Sequence, residues 1–520
     1  MHRRTFLAAA TGGIAAYAAA AEFELDDLGL AELSQGMAQG RWTSRRLVEL
    51  YSARIDAIDG RGPRLNAVIE MNPDAASIAD SLDRERKQGH VRGPLHGIPV
   101  LLKDNIDTAD RMSTTAGSLA LDGWHPPRDA FLASRLRAAG ALILGKTNLS
   151  EWANFRSTRS VSGWSGRGGQ TRNPHLLERS PSGSSSGSAA AVAASLCAAA
   201  VGSETDGSIV SPSSICGVVG VKPTVGLVSR SGIIPISHSQ DTAGPIARSV
   251  RDAAILLTAM AAADPNDPAT AESAGRTQPD YTKSLDANGL RGARLGIARK
   301  YFEDNRRMNG LLNDAIDVLK RAGAEIVDPA DLPSHGKGGD EEEQVLLYEF
   351  KADLNAYLAK LPPTREERSL AALIDFNNRH RDREMPWFDQ ELFEQAQEKG
   401  PLTEQKYIDA RKQCLKLARK EGIDAALDKH RVDAIVTLTC GPSWMVDHVN
   451  GDRDVGGCSS PAAVAGYPHV TVPAAMYDEL PVGLSFFGAA WSEPVLLRLA
   501  YAFEQAANAR RKPRFLTKEA

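Results

Sequence analysis

Short apolar segments alternate along this chain with segments of helical period. Residues 97–102, 141–144 and 324–327 have the length and the flanking glycine or charged residues of buried strands. Residues 129–139 and 308–322 place apolar side chains three and four positions apart, as one face of a helix requires. Strands that alternate with helices of this length pair through helical crossovers. The sequence therefore predicts an α/β fold with a largely parallel or mixed sheet.

The later part of the chain extends this pattern. Residues 432–438, 469–472 and 482–487 are predicted strands, whereas residues 331–429 are rich in charge, helical in period and lack a clear strand. We expect that stretch to be a helical insertion covering one side of the sheet. No polar linker is long enough to separate independent units, so residues 22–520 are predicted to form one large domain.

The first 21 residues have the composition of an export signal. A basic start with Arg3 and Arg4 precedes an apolar run of at most sixteen residues, and an A-x-A sequence ends at Ala21. The run is too short to span a bilayer comfortably, and the arginine pair resembles a twin-arginine signal. A frayed N-terminal helix is the alternative interpretation. We expect residues 1–21 to be removed and the mature protein, beginning near Glu22, to be periplasmic or secreted.

Charge and residue usage narrow the class of partner. The 520 residues include 61 Lys and Arg against 65 Asp and Glu, for a net charge of −4. No basic field favours nucleic acid or an anionic membrane, so we expect a small-molecule or peptide substrate. The five cysteines contain no CxxC pair and the eleven histidines contain no HxxxH pair. We therefore expect no metal site and no cofactor.

Three short motifs match known catalytic patterns but lie in unsuitable surroundings. Residues 140–147 fit the P-loop pattern, yet their variable positions are Ala-Leu-Ile-Leu, whose N–H groups belong to a sheet ladder. Residues 334–337 fit S-x-x-K, but no S-D-N or K-T-G sequence accompanies them. Residues 183–187 fit the G-x-S-x-G nucleophile elbow, although a polar segment containing proline precedes them where a strand is required. Histidines follow that motif, so a Ser-His-Asp hydrolase stays open as an alternative.

A dense stretch of Ser and Gly at residues 180–224 carries most of the functional signal. It is interleaved with small residues at 189–200, predicted to form a closely packing helix, and with the apolar segment 215–221, unlike a flexible linker. Upstream, Lys103 directly follows the predicted strand at 97–102. Ligands bind at the carboxyl ends of strands in open α/β sheets, which makes Lys103 a candidate functional residue.

Three separated segments resemble the pattern of the amidase signature hydrolases. The strand-lysine segment of that family corresponds to GIPVLLKDNID here, its Gly/Ser segment to SGSSSGSAAAVAAS, and its third segment to GSETDGSIVSPSSICGVVGVKPT. Ser208 follows Ser184 by 24 positions, as in the family. The resemblance implies a single large amidase-signature domain of the α/β class, with a mixed β-sheet sandwiched between α-helices.

The resemblance also implies a Ser-Ser-Lys relay. Carried over residue by residue, Ser208 is the nucleophile, Ser184 the bridging serine and Lys103 the base, which burial keeps neutral. The peptide bond before the bridging serine is cis in the family. The implied oxyanion hole consists of four consecutive backbone N–H groups, those of Thr205, Asp206, Gly207 and Ser208.

This chain departs from the family pattern at several positions, of which Asp206 bears most on catalysis. Most family members have glycine there, and a carboxylate aimed at the oxyanion would oppose the reaction. We therefore expect the Asp206 side chain to point away from the oxyanion, toward the substrate or a nearby cation.

Two segments narrow the expected activity. Residues 204–210 and 146–160 resemble the bacterial peptide amidases, which remove ammonia from the C-terminal carboxamide of peptides and spare internal peptide bonds. The same resemblance makes Asn154 a substrate-binding candidate, although an asparagine that stabilises its own turn fits equally well.

We accordingly expect a monomeric serine amidohydrolase with no nucleic-acid partner and no stable membrane association. A broad-specificity amidase or aryl-acylamidase on the same fold is one alternative. The A-type subunit of a tRNA-dependent amidotransferase is another, and the export signal and the charge balance count against it.

Overall fold

A mixed sheet of eleven strands runs through the molecule. The computed structural model describes residues 23–517, so the predicted export signal at residues 1–21 lies outside the described residues. The strands are β1 (Val68–Met71), β2 (Pro99–Lys103), β3 (Leu142–Thr147), β4 (Trp164–Ser165), β5 (Gly169–Gln170), β6 (Ala199–Glu204), β7 (Val219–Lys222), β8 (Thr242–Ala247), β9 (Arg294–Ile297), β10 (Glu325–Val327), β11 (Ala434–Leu438), β12 (His469–Tyr477) and β13 (Leu480–Phe487). Their order in the sheet is β1-β3-β2-β6-β8-β7-β12-β13-β11-β9-β10, and β4 pairs with β5 in a separate ribbon.

The sheet combines two parallel blocks with an antiparallel centre. Strand β2 is parallel to β3 and to β6, and β9 is parallel to β10 and to β11. Strands β8, β7, β12 and β13 pair with antiparallel neighbours. Every residue of β2, β3, β6 and β8 is buried, which requires cover on both faces of the sheet. The predicted α/β class with a mixed sheet is confirmed.

Helices provide that cover. They are α1 (Leu30–Ala38), α2 (Ser44–Arg54), α3 (Ala75–Lys87), α4 (Phe131–Ala138), α5 (Ser186–Ala193), α6 (Val210–Ile215), α7 (Val250–Met260), α8 (Arg306–Arg321), α9 (Gly339–Leu358), α10 (Leu370–Arg379), α11 (Arg381–Glu384), α12 (Glu391–Gln397), α13 (Gln405–Leu415), α14 (Asp424–His430), α15 (Ser460–Ala465) and α16 (Glu493–Ala507). Shorter 3₁₀ segments span Leu119–Leu121, Glu151–Asn154, Pro268–Ser273 and Tyr281–Ser284, and π-helical segments span Ile55–Gly60 and Lys416–Ile423.

Residues 331–429 contain helices α9 to α13 and all but the last residue of α14, and the structure has no strand in this range, all of which is described. Helix α9 packs against α12 and α13. Its apolar residues enter two clusters outside the main core, one around Tyr348 and one around Phe350.

In the described part of the chain, no helix combines the length and the apolar character needed to cross a bilayer.

The prediction of one helix over residues 189–200 is wrong in its second half. Helix α5 ends at Ala193, Ser195 adopts a positive φ of 56°, and strand β6 begins at Ala199. Alanine has the highest intrinsic helix propensity, but helix propensity is a weak determinant beside tertiary contacts, and here pairing of β6 with β2 and β8 outweighs it. The buried Arg248 donates to the carbonyl oxygens of Val192 (2.9 Å) and Cys197 (2.8 Å), so the connecting turn is satisfied by a distant side chain.

The segment that matches the P-loop pattern forms a strand and not a phosphate-binding loop, as its apolar composition predicted. Residues 142–147 form β3, and all of them are buried. Lys146 donates from Nζ to Ile106 O (2.7 Å), Thr114 Oγ1 (2.9 Å) and Ser113 O (3.2 Å). The lysine therefore closes a loop instead of reaching toward a phosphate site.

We predict that Arg248→Met lowers the free energy of unfolding by about 2–4 kcal/mol, because it leaves the buried Cys197 carbonyl without a donor. It also removes one donor from the Val192 carbonyl, which keeps the N–H of Ser195. Chemical denaturation measures the change. Arg251→Met on the exposed side of α7 is the matched control and should cost less than about 1 kcal/mol. Equal stabilities for the two variants would contradict this role of Arg248.

Candidate active site

The carboxyl ends of β2 and β6 bring the first predicted residues together. The two strands are parallel neighbours, with Leu102 opposite Val201. Lys103 ends β2, and β6 runs on to Glu204 before the chain enters the loop 205–208 and then α6. Lys103 and the Ser208 segment therefore emerge at the same edge of the sheet, where α/β proteins bind ligands.

Lys103 is fully buried and donates three hydrogen bonds. Its Nζ lies 2.8 Å from Ser184 Oγ, 3.0 Å from Ser203 Oγ and 3.1 Å from Ser203 O. The structure thus joins two of the three predicted catalytic residues directly. Ser203, which shares Lys103 with Ser184, was not among the sequence-predicted site residues, although it lies inside the quoted signature segment.

Burial lowers the pKa of Lys103 from 10.5 to about 7. The carboxylates of Asp241 and Glu204 act in the opposite direction but do not compensate. The three hydrogen-bond acceptors of Lys103 are neutral. A substantial share of the lysine is therefore uncharged near neutral pH, as a general base requires.

Ser184 lies in a tightly packed loop before α5. The Gly183–Ser184 peptide bond is cis, as the resemblance implies. Ser184 O accepts a hydrogen bond from Ser150 N (3.1 Å). A Cβ atom at position 183 would lie 2.2 Å from Ser150 Oγ, so only glycine fits there without rearrangement.

Ser208 lies next to this loop and is 8% exposed. Its backbone oxygen accepts a hydrogen bond from Ser185 N (3.1 Å). Among the described residues, its hydroxyl has no hydrogen-bond partner. The structure therefore brings all three residues to one place and forms the Lys103–Ser184 link, but it does not form a hydrogen bond between the two serine hydroxyls.

The loop 205–208 carries free backbone donors. Within residues 23–517, the N–H groups of Asp206, Gly207 and Ser208 have no acceptor, whereas those of Ile209 (2.7 Å) and Val210 (3.0 Å) bind Glu204 Oε2. Gly207 adopts a φ of 79°, and a Cβ atom there would lie 3.0 Å from Ser459 Oγ. Consecutive unpaired N–H groups beside a serine provide the donors that an oxyanion needs.

Thr205 is held by two residues that the sequence analysis did not identify. Its Oγ1 donates to Asp241 Oδ1 (2.6 Å), and its backbone oxygen accepts from Gln240 Nε2 (3.3 Å). Burial raises the pKa of Asp241 to about 6. Asp241 lies just before β8, outside the Ser/Gly stretch and within the polar segment 237–242, so the sequence carried no signal that distinguished it.

Asp206 points toward Glu342 at the start of α9, and the two carboxyl groups share a hydrogen bond. Lys222 at the end of β7 lies near enough to interact electrostatically with Asp206, so the expected cation is nearby, whereas the hydrogen-bond partner of Asp206 is another carboxyl group. Helix α9 brings an acidic side chain here, and no local sequence pattern relates it to the signature segment.

Asn154 ends a short turn in which Trp152, Ala153 and Asn154 all have positive φ. Its Nδ2 donates to Ser162 Oγ (3.2 Å), while its Oδ1 is buried without a hydrogen-bond donor among the described residues. Asn154 makes no hydrogen bond to Lys103, Ser184 or Ser208. The turn-stabilising interpretation accounts for its nitrogen, and the free oxygen keeps the substrate-binding interpretation open.

A cavity of about 740 Å³ adjoins the site, but the candidate catalytic side chains do not line it. Asn105, Ser203, Thr205 and Asp241 belong to its wall, but the three candidate catalytic side chains do not. The cavity therefore contacts the base only through Ser203.

His238, Glu349 and Asp353 form a cluster of metal-ligand type near this cavity. Each is already engaged: His238 Nδ1 lies 2.8 Å from Asp353 Oδ2, and His238 Nε2 lies 3.3 Å from Glu349 Oε1. Glu349 also accepts hydrogen bonds from Ser237 (2.5 Å) and Tyr407 (2.7 Å). This arrangement is an ion-pair clamp between the loop before β8 and helix α9.

Comparison with known proteins agrees with this site. The amidase family model matches residues 46–497. A native peptide amidase from Stenotrophomonas maltophilia has a solved structure that is 54% identical, with a TM-score of 0.91 over 95% of this chain and 100% of its own. A probable amidase from Arabidopsis thaliana is 43% identical over 95% of this chain and 93% of its own length.

A further relative has a different role. The A-type subunit of the glutamyl-tRNA(Gln) amidotransferase of Synechococcus sp. (strain WH7803) is 34% identical over 92% of this chain and 97% of its own length. All of these matches extend over nearly the whole sheet and its helices. The chain belongs to the amidase family and is an amide hydrolase of the amidase signature type.

Proposed function

We propose that this protein is a serine amidohydrolase that releases ammonia from the C-terminal carboxamide of peptides by a Ser-Ser-Lys relay. The observation that carries the proposal is the hydrogen bond between the buried Lys103 Nζ and Ser184 Oγ, 2.8 Å long. The likeness to a peptide amidase at 54% identity supports the substrate class. The free N–H groups of the loop 205–208 support stabilisation of an oxyanion beside Ser208.

In the proposed first half-reaction, neutral Lys103 takes the Ser184 hydroxyl proton while Ser184 takes that of Ser208. The Ser208 oxygen forms a bond to the amide carbonyl carbon, and the resulting oxyanion accepts hydrogen bonds from the loop N–H groups. The Ser208 hydroxyl has to turn toward Ser184 for this step, and such bonds often form only when substrate is bound.

Collapse of the tetrahedral intermediate breaks the carbon–nitrogen bond. The proton held on Lys103 returns through Ser184 to the leaving nitrogen, which departs as ammonia. Water then attacks the acyl-enzyme through the same relay in reverse roles, and the peptide acid is released with Ser208 regenerated. The proton balance closes on Lys103, so the relay needs no histidine.

A broad-specificity amidase or aryl-acylamidase would use the same relay on a different substrate. A catalytic component of an amidotransferase would deliver its ammonia to a second active site. The substrate panel described below separates a broad-specificity amidase or aryl-acylamidase from a peptide amidase.

We predict that Ser208→Ala abolishes ammonia release from a peptide amide and that Lys103→Ala lowers kcat at least about 1,000-fold, because one removes the nucleophile and the other the base. A coupled ammonia assay measures both. Ser77→Ala on the exposed side of α3 should retain full activity. Turnover near the wild-type rate in either active-site variant would contradict the relay.

We predict that an amidated peptide is converted to the free peptide acid plus ammonia, with no internal fragments. Mass spectrometry of the products tests this, and the same peptide with a free carboxylate is the control that should stay intact. An aliphatic amide, an anilide and an ester complete the panel. Internal cleavage would exclude a peptide amidase, and a preference for the anilide would favour an aryl-acylamidase.

We predict that kcat/KM falls as pH is lowered through about 7, approaching a tenfold loss per pH unit, because protonated Lys103 cannot accept a proton. The lowered pKa places the active neutral form above this pH. A profile of kcat/KM against pH between pH 5 and 8 measures this fall. A rate independent of pH over that range would exclude Lys103 as the titrating base.

A further inference from the structure

Asp206 and Glu342 form a carboxyl pair at the loop 205–208. Asp206 precedes the candidate nucleophile by two positions, and its Oδ1 is buried without an N–H or hydroxyl donor among the described residues. Its carboxyl group is hydrogen-bonded to that of Glu342, in the first turn of α9. A hydrogen bond between two carboxyl groups requires one proton, so the bonded pair carries one negative charge instead of two.

Glu342 also reaches the loop 205–208 by a second route, through Gln240. Its Oε1 accepts a hydrogen bond from Gln240 Nε2 (2.9 Å), and the same Gln240 nitrogen donates to Thr205 O (3.3 Å). Glu342 thus contacts the loop directly through Asp206 and indirectly through Gln240 at Thr205. The start of α9 therefore acts as a support for the segment that carries the free N–H groups.

We propose that one proton shared by Asp206 and Glu342 holds the loop 205–208 in position and keeps a second negative charge away from the site where the oxyanion forms. The two carboxyl groups are positioning residues, since neither is placed to touch the reacting atoms. This inference rests on the proposed function, because it concerns the oxyanion step of that reaction.

The physical reason is electrostatic. Two ionised carboxylates in contact repel each other, so loss of the shared proton breaks the bond and releases one side of the loop. It also doubles the negative charge two residues from Ser208, which opposes an oxyanion in a site of low dielectric. Burial and the neighbouring Asp206 raise the pKa of Glu342 to about 8, which sets the pH at which this change is expected.

Protons can reach the pair from solvent. A cavity of about 430 Å³ is lined by Glu342, Tyr301 and the segment around Gly457. Proton exchange between Glu342 and bulk water therefore need not pass through Ser184 or Ser208.

Other titratable groups face the pair from the surrounding elements. They are Glu204 at the end of β6, Lys222 at the end of β7, Tyr301 after β9, Cys414 in α13 and Cys458 before α15. Burial raises the pKa of both thiols to about 12 and that of the phenol well above its usual range, so these groups stay neutral at pH 8. Burial lowers the pKa of Lys222 to about 8, so Lys222 titrates in the same range and has to be separated by mutation.

The decisive experiment is the pH dependence of kcat for peptide amide hydrolysis in wild type and in Glu342→Gln. The glutamine amide donates to Asp206 at every pH, so its pair keeps one negative charge throughout. We expect the wild-type rate to decline above about pH 8 and the decline in Glu342→Gln to move upward by at least about one pH unit. A decline that is absent from wild type, or retained unchanged in Glu342→Gln, would overturn the proposal and assign the limb to Lys222 or another group.

Two further variants separate a positional role from simple damage to the fold. Glu342→Ala removes the hydrogen bond and should lower kcat at pH 7 at least about tenfold, while Glu342→Gln recovers most of that loss because it restores the bond. Glu343→Gln makes the same charge change on the exposed side of α9 and should leave both the rate and the alkaline limb as in wild type. Equal effects of the three variants would contradict the proposal.

The thermal midpoint provides a readout that does not depend on catalysis. A carboxyl whose folded-state pKa is raised contributes stability that is present at low pH and is lost as pH rises through the folded-state pKa. The Tm of wild type should therefore fall relative to that of Glu342→Gln between about pH 5 and 8, and then stay level. A Tm difference independent of pH would refute the shared proton. The predicted Tm trend without any amide hydrolysis would instead refute the proposed function and retain the pair.

Discussion

The burial of the Lys103 ammonium group is the constraint on which the rest of this site depends. A lysine at the end of a central strand loses its hydration only because helices cover both faces of the sheet around β2 and β6. That loss is what lowers its pKa toward neutrality. A more exposed sheet edge would leave the same residue permanently charged and unable to accept a proton.

Two other lysines lie in strands of this sheet in full burial, and comparison with them explains why Lys103 suits a base. Burial lowers the pKa of Lys146 as well, against the effect of carboxylates on neighbouring segments, but its hydrogen bonds go to two carbonyl oxygens and a threonine hydroxyl in a closed loop. Lys222 lies near Glu204 and Glu493, and its pKa is lowered only to about 8. Lys103 instead bonds two serine hydroxyls and one carbonyl oxygen, so it combines a pKa of about 7 with a partner that can transfer a proton.

The sequence was informative where chemistry is encoded locally. Lys103, Ser184 and the loop 205–208 lie in segments whose residue types and spacing match a family pattern, and the structure brings all of them to one edge of the sheet. Periodicity failed at residues 189–200, because a run of alanine fits both the end of a helix and a fully buried strand, and only pairing with β2 and β8 decides between them. Gln240, Asp241 and Glu342 could not be assigned from the sequence, since their contacts with the loop arise from distant segments that share no pattern with it.

The contact between Asp206 and Glu342 accommodates an unfavourable residue beside the proposed oxyanion hole. Most members of the family have glycine at the position of Asp206, and glycine needs no partner on α9. With aspartate there, any additional negative charge beside it would raise the energy of an oxyanion at Ser208. A second carboxyl that supplies a proton binds the aspartate without adding a second negative charge, so the pair carries one charge beside Ser208. The loop 205–208 and the first turn of α9 therefore form one electrostatic unit, in which the helical segment 331–429 contributes to the site through a single acidic side chain.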